Sequence, residues 1–155
     1  MKPVELNEGA AAPDFESVDE HGKPFRLASL RGKNVVLYFY PKADTPGCTK
    51  EACAFRDDSK KFTKRDTVIV GVSPDTSASQ LKFKQKFDLP FTLVADKDHK
   101  VAETYGVWKE KSMYGKKYMG IERTTFIIGK DGHIKKVFPK VKVEGHAEEV
   151  LAAVD

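Results

Sequence analysis

The stretch from Val35 to Cys48, Val-Val-Leu-Tyr-Phe-Tyr-Pro-Lys-Ala-Asp-Thr-Pro-Gly-Cys, decides the fold of this chain. Its first six residues form a continuous β-branched and aromatic run, which is typical of a strand buried on both faces of a parallel sheet. Pro41 ends that strand, since proline has no N–H for a strand ladder. Thr45 suits the N-cap of a helix and Pro46 suits its first position. The stretch therefore predicts a strand, a short loop and a helix that begins beside a cysteine.

The segments on either side carry further strand and helix patterns. Upstream, Phe15–Val18 and Phe25–Leu27 flank a polar turn and predict a short hairpin. The helix after Thr45 has Ala52, Phe55 and Phe62 on one face. Downstream, the patterns predict the end of that helix at about 64, a strand over 67–72, a helix over 77–87, a strand over 92–95, a short helix over 101–105, strands over 123–128 and 133–138 joined by a tight turn, and a closing helix over 145–154.

This order of elements indicates the fold class. Strands that alternate with helices favour an α/β sheet covered on both faces. A central βαβ unit followed by ββα is the thioredoxin arrangement, and the closing hairpin adds an antiparallel edge. The prediction is a thioredoxin-like fold with a central mixed sheet flanked by helices and an N-terminal β-hairpin extension. With 155 residues, a single domain over 1–155 is expected.

The region from Val107 to Gly120 is the part that the patterns leave unclear. It holds Trp108, Met113, Tyr114 and further aromatic residues between several lysines. We expect a loop that covers the core. The alternative is a surface for a partner or a substrate.

Composition excludes several classes of function. The chain has 27 basic and 23 acidic side chains, a formal charge of +4, and its lysines are scattered, so neither a basic stripe nor a nucleic-acid motif is present. No run reaches the roughly 18 apolar residues of a membrane span, and Met1–Leu6 lacks the features of a signal or transit peptide. We expect a cytoplasmic protein, a monomer or a weak dimer, that binds neither nucleic acid nor membrane.

The two cysteines, Cys48 and Cys53, carry the chemistry that the sequence suggests. In a reducing compartment, a close cysteine pair is more often catalytic or metal-binding than structural. Cys48 falls at a predicted helix N-terminus, where unpaired N–H groups and the helix dipole favour the thiolate, which is the nucleophilic form. The alternative is that Cys48 is a small buried apolar residue. The Thr45 hydroxyl, three residues earlier, is a candidate hydrogen-bond partner for the thiolate.

The spacing of the two cysteines constrains any bond between them. Five residues along a regular helix place two Cα atoms roughly 8–9 Å apart, whereas a disulfide needs them within about 7 Å. Either the cysteines never bond, or the first turns of the helix unwind to let them. The spacing also differs from the C-x-x-C of thioredoxin-type dithiol exchange.

A zinc site is the other use of a cysteine pair. Such a site needs four ligands, and the remaining candidates show no ligand spacing to the cysteines or to each other: His21, His99, His133 and His146. Each histidine is interpreted as an exposed polar residue, and no metal is predicted.

Several motifs together resemble one family. Residues 41–48 fit the peroxiredoxin pattern Pro-x-x-x-Thr-x-x-Cys, and Cys53 follows at the spacing of the bacterioferritin-comigratory-protein (PrxQ) branch, the atypical 2-Cys type. Ala12–Phe15, Tyr105–Glu110 and Glu122–Ile128 resemble the same branch. The likeness covers nearly the whole chain.

The resemblance implies a thiol peroxidase with a thioredoxin-like fold and no bound cofactor. Its substrates would be hydrogen peroxide and small organic hydroperoxides, and its reductant thioredoxin or a similar dithiol. Six residues would carry the site: Cys48 as the peroxidatic cysteine, Cys53 as the resolving cysteine, Thr45 and Arg123 as peroxide-binding residues, Pro41 as a shield, and Glu51 as the residue that positions the arginine. Arg123 offers a permanent charge and a planar fork of donors.

Two other functions remain open at this stage. A thiol–disulfide oxidoreductase on the same fold would pass electrons between proteins and react little with peroxide. A redox-sensing or scaffold module would have lost catalysis and would lack a motif residue, yet none is missing. The five-residue cysteine spacing and the upstream Thr45 favour the peroxidase.

Overall fold

The apolar run that starts at Val35 lies in the central strand of a mixed sheet in the computed structural model, which describes residues 6–154. The strands are β1 (Glu16–Val18), β2 (Pro24–Arg26), β3 (Asn34–Phe39), β4 (Thr67–Ser73), β5 (Thr92–Ala95), β6 (Trp108–Met113), β7 (Lys116–Ile121), β8 (Thr124–Ile128) and β9 (Ile134–Phe138). The helices are α1 (Pro46–Asp57), α2 (Ser59–Lys64), α3 (Ser77–Phe87), α4 (Lys100–Thr104) and α5 (His146–Ala153).

The five-stranded sheet has the order β5-β4-β3-β8-β9. Strands β3, β4 and β5 run parallel, whereas β8 is antiparallel to both β3 and β9. The N-terminal strands β1 and β2 form a separate hairpin. The predicted thioredoxin-like fold, with its mixed sheet, antiparallel edge and N-terminal hairpin, is confirmed.

Two apolar cores lie on opposite faces of the sheet, and successive residues of β3 contribute to each in turn. Val36 and Tyr38 face the core that contains α1, α3 and α5, while Val35 and Leu37 face the core that contains α4. All six residues of β3 are buried because both faces are covered. This explains why the sequence shows a continuous apolar run here rather than an alternating one.

The helix predicted from Thr45 to about Lys64 is in fact two helices. The carbonyl of Asp58 accepts hydrogen bonds from the amides of Lys61 and Phe62, so a second helix begins there. Aspartate and serine, which follow one another at this point, favour helix ends over helix interiors. The predicted apolar face is nevertheless right, since Ala52, Phe55 and Phe62 are each 0% exposed.

The region 107–120 is not the covering loop that the sequence suggested. Strands β6 and β7 pair with each other over their full length, from Trp108 with Ile121 to Met113 with Lys116. We call this hairpin, residues 108–121, the ribbon. The prediction failed because both of its faces carry lysines and its turn lacks the usual Asn-Gly signal. Within residues 6–154, no helix is long and apolar enough to cross a membrane.

Candidate active site

Cys48 lies where α1 begins, just beyond the end of β3. Pro46 is the first helical residue, so Cys48 is the third. Its side chain is 1% exposed. Thr45 has the extended backbone of an N-cap, as predicted, but its hydroxyl makes no capping bond and donates instead to the Lys42 carbonyl, 2.8 Å away. The threonine hydroxyl therefore fixes the turn that precedes the cysteine.

Arg123 approaches Cys48 from the residue just before β8. Its Nη2 donates to the Cys48 sulfur at 3.3 Å, and its Nη1 donates to Glu51 Oε1 at 2.7 Å. The backbone at Gly47 passes close to the guanidinium, since a Cβ at this position would lie in van der Waals contact with Nη2, at 3.4 Å. One planar group thus donates to both the sulfur and a carboxylate.

Glu51 is an acid that the fold has removed from water. Its side chain is 1% exposed, and its second oxygen, Oε2, has no hydrogen-bond partner. Burial raises the pKa of Glu51 to about 7, against the opposing effect of the Arg123 guanidinium. Two acidic groups, Glu51 and Cys48, therefore share one cation in a site with little water.

Cys53 lies on the same unbroken helix as Cys48. Both cysteines are free thiols, and Cys53 is half-buried. The helical ladder begins between them with the Thr49 amide donating to the Thr45 carbonyl at 2.8 Å. With both thiols free, the helix that carries the two cysteines is intact.

A buried polar network supports the loop before Cys48, and the sequence did not reveal it. Asp75 Oδ2 accepts from the Ala43 amide at 2.8 Å and from the Ser73 hydroxyl at 2.6 Å. Gln80 Nε2 in turn donates to the Ser73 hydroxyl at 2.8 Å, and Gln80 Oε1 accepts from the Tyr40 hydroxyl at 2.5 Å. The available signal was position, since Ser73 ends and Asp75 follows a parallel strand, at the same sheet edge as Pro41.

His146, which we predicted to be exposed, is buried beneath α1. His146 is 1% exposed; one ring nitrogen lies 2.7 Å from the Thr125 hydroxyl and the other 2.6 Å from Glu149 Oε1. Burial lowers the pKa of His146, against the effect of Glu149. The prediction of an exposed residue was wrong because α5 packs this ring against Phe55 of α1.

The predicted site residues fall into three groups. Cys48 and Glu51 both contact Arg123, Pro41 and Thr45 are half-buried in the adjoining loop, and Cys53 lies further along α1. In the described part of the chain, no three His, Cys, Asp or Glu residues are grouped to hold a metal ion. The arrangement combines a nucleophilic sulfur, a fixed cation and a helix N-terminus, which suits attack on a small molecule that develops negative charge on oxygen.

Comparison with known proteins gives consistent relatives. The model of the AhpC/TSA family matches residues 9–137. Peroxiredoxin Bcp of Bacillus subtilis is 52% identical over 143 residues, which are 92% of this chain and 91% of that protein. A putative peroxiredoxin bcp of Coxiella burnetii is 51% identical over 148 residues, covering 96% of this chain and 98% of that protein.

Solved structures agree. The bacterioferritin comigratory protein of Xanthomonas campestris, studied for its alkyl peroxide reduction activity, superposes with a TM-score of 0.89 at 38% identity and covers 96% of this chain and 97% of its own. A structure of peroxiredoxin Q from Xanthomonas campestris gives a TM-score of 0.88 at 41% identity, with 96% and 94% coverage.

Proposed function

The chain belongs to the AhpC/TSA family, in its Bcp/PrxQ branch, and from its identity as a peroxiredoxin we propose which residues perform the reduction of hydroperoxides. Cys48 is the peroxidatic cysteine and Cys53 the resolving cysteine. The observation that carries this assignment is the Arg123 fork, 3.3 Å from the Cys48 sulfur and 2.7 Å from Glu51. Hydrogen peroxide and organic hydroperoxides are the substrates, alkyl hydroperoxides among them by likeness to the Xanthomonas campestris protein.

In the first step, the Cys48 thiolate attacks the terminal oxygen of the peroxide. A sulfur–oxygen bond forms as the oxygen–oxygen bond breaks, so the sulfur loses two electrons and becomes a sulfenic acid. The departing oxygen takes a proton and leaves as water or an alcohol. Arg123 stabilises the negative charge that develops during the transfer, and the Thr45 hydroxyl and Pro41 line the approach to the sulfur.

In the second step, the first turns of α1 unwind and Cys53 attacks the sulfenic sulfur. Water leaves and a Cys48–Cys53 disulfide forms within one chain. Unwinding is required because an intact helix holds the two Cα atoms roughly 8–9 Å apart. Thioredoxin or a similar dithiol protein of the cytoplasm then restores both thiols by exchange.

Thiol titration and mass spectrometry before and after one equivalent of hydrogen peroxide test the assignment. Wild-type protein should lose both thiols while keeping a monomer mass that is lower by two hydrogens. Cys48→Ser should consume no peroxide, and Cys53→Ser should consume one equivalent and stop at a sulfenic acid. Peroxide consumption by Cys48→Ser would refute the assignment, and a peroxide-inert wild type that exchanges with protein disulfides would indicate an oxidoreductase instead.

A further inference from the structure

The ribbon takes no part in the reaction described above. The large apolar side chains that are exposed among residues 6–154 all belong to it: Met113 at 56%, Tyr114 at 98%, Tyr118 at 43% and Met119 at 50% exposure. In the described part of the chain, its two strands pair only with each other. A concentrated apolar patch on a water-exposed element marks a site of interaction rather than a part of the core.

The tip of the ribbon carries backbone strain without a local benefit. Tyr114 and Gly115 form the two-residue turn, with φ angles of 52° and 78°. A turn of this kind favours Asn, Asp or Gly, because a bulky side chain is disfavoured at positive φ. Tyr114 packs against little of its own chain, since 98% of its surface is exposed. Contact between Tyr114 and another molecule would offset the free-energy cost of its positive φ.

The charge of the ribbon selects the kind of molecule. Its strands contain four lysines, at 109, 111, 116 and 117, against one acid, Glu110. In the pairing register, Lys111 stands opposite Tyr118 and Met113 opposite Lys116, so cationic and apolar groups share one face. Such a face repels a second copy of itself. It attracts an acidic surface that also exposes apolar side chains between its charges.

The ribbon also stands beside the reacting sulfur. Strand β7 leads through Glu122 directly into Arg123, whose Nη2 holds Cys48. Lys109 Nζ lies 3.0 Å from Glu122 Oε2, which ties the base of the ribbon to this junction. Burial lowers the pKa of Lys111, and the Arg123 guanidinium acts in the same direction while Glu122 and Cys48 oppose it, so this lysine lies within the electrostatic reach of the site.

We propose that the ribbon, through Tyr114, Tyr118 and its lysines, docks the acidic dithiol protein that reduces the Cys48–Cys53 disulfide. This inference rests on the proposed function. A thiolate of the docked partner attacks one sulfur of the disulfide and forms a mixed disulfide, and the other cysteine leaves as a thiolate. The partner's second thiolate then attacks the mixed disulfide. The partner leaves oxidised by two electrons, and the released thiolates take up the two protons.

Two ribbon variants and a matched control separate docking from chemistry. Tyr114→Asn removes the aromatic tip and installs a residue that the turn prefers. The double variant Lys116→Glu, Lys117→Glu reverses charge on the ribbon. The control reverses Lys60 and Lys64, which are also exposed but lie on α2, at the opposite end of the sheet from Cys48. Each protein is oxidised with hydrogen peroxide and then reduced either by thioredoxin or by dithiothreitol, which needs no docking surface.

We expect kcat/KM for thioredoxin to fall by about tenfold in both ribbon variants, as for loss of an interface anchor. Reduction by dithiothreitol, oxidation by peroxide, and the α2 control should stay at wild-type rates. Tyr114→Asn should unfold at the same or higher urea concentration than the wild type, so its lower rate would not reflect a damaged fold.

Four outcomes would overturn the proposal, and they can be told apart. Unchanged thioredoxin kinetics in the ribbon variants would remove the docking role while leaving the peroxidase intact. A wild type that dithiothreitol reduces and thioredoxin does not would exclude this reductant. Slower oxidation of Cys48 by organic hydroperoxides in Tyr114→Asn would make the ribbon a substrate surface. A wild-type dimer that becomes monomeric in Tyr114→Asn, by analytical ultracentrifugation, would assign the ribbon to a second copy.

Discussion

At the scale of single residues, Arg123 has to serve two anions at once. It lies 3.3 Å from the Cys48 sulfur and 2.7 Å from Glu51 Oε1, and its own side chain is 17% exposed. If both acids are ionised, the buried site carries one negative charge more than the arginine neutralises. Glu51 Oε2 is buried and has no hydrogen-bond partner, so a negative charge on this carboxylate is poorly stabilised. A proton on Glu51 removes the excess, and this makes the stability of the fold depend on pH.

The titration of Glu51 gives that dependence a definite sign. Burial raises the pKa of Glu51 from 4.5 to about 7 in the folded protein. Between these values, the folded chain keeps a proton that the unfolded chain has lost, so the free energy of unfolding falls as pH rises. Glu51→Gln cannot titrate. We expect the stability of the wild type relative to this variant to fall by on the order of 3 kcal/mol from about pH 4.5 to about pH 7.

Urea unfolding of the two reduced proteins at several pH values measures this difference. Burial lowers the pKa of His146, so the free energy of unfolding also falls as the pH drops below the pKa of a free histidine. This effect is present in both proteins and cancels in the comparison. Above about pH 7 the difference should level off. Parallel stability curves for the wild type and Glu51→Gln would show that folding does not raise the pKa of Glu51.

At the scale of elements, α1 has two parts with different tasks. Its first eight residues carry Cys48 and Cys53 and must open for the proposed disulfide to form. Its second part carries Phe55, whose ring centroid lies 4.8 Å from that of Tyr38 and 5.9 Å from that of His146. Lys50 lies between the cysteines and is exposed, so its substitution changes the helix without disturbing the core.

Lys50→Gly and Lys50→Ala form a matched pair that tests the opening step. Both remove the same charge, but glycine is less favourable than alanine in a helix by about 1 kcal/mol. If unwinding precedes bond formation, the disulfide should form about fivefold faster in the glycine variant, by the relation between free energy and rate. Rapid-quench thiol alkylation after peroxide addition gives this rate, and the preceding loss of peroxide should be similar in both. Equal rates would mean that opening of α1 does not limit the reaction.

The elements also show what can be predicted from the sequence. The bounds of α3 and β5, at 77–87 and 92–95, match the prediction, because turn-forming residues flank each element in the sequence. The ribbon was missed because most residues on both of its faces are exposed, so no alternation of polarity marks it. The break at Asp58 was missed for another reason: Asp58 and Ser59 favour helix ends, but the apolar face continues across them to Phe62.

The site divides in the same way. Near Cys48, Arg123 donates a hydrogen bond to Glu51, so the two residues that the resemblance links are in contact, while their roles stay predictions. The network from Asp75 to Tyr40 was not predicted, because it depends on which strand ends meet at one sheet edge. The burial of His146 likewise depends on the docking of α5, a contact between distant parts of the chain.

At the scale of the whole molecule, the core limits how far oxidation can disturb the structure. Phe55 and Phe62 are each 0% exposed, with ring centroids 6.0 Å apart, and both belong to the core between the helices and the sheet. Opening α1 past Phe55 would expose an aromatic side chain at a cost of roughly 3 kcal/mol or more. The helical hydrogen bonds of the amides from Thr49 to Ala54 can break at lower cost, because these residues precede Phe55, the anchor of the helix. Unwinding should therefore stop between Cys53 and Phe55.

Hydrogen exchange in the reduced and oxidised proteins tests this boundary. We expect the amides of residues 49–54 to lose protection on oxidation, because their helical bonds are broken, while β3, β4 and β8 keep theirs. Cys53→Ser treated with peroxide is the control: it gains the sulfenic acid but no disulfide, so its helix should stay protected. Loss of protection across the sheet would mean that the disulfide strains the whole fold. Unchanged protection at 49–54 would mean that the two cysteines do not bond within one chain. Because Phe55 holds the rest of α1 in place, the same anchor should return the helix to its reduced form once the disulfide is broken.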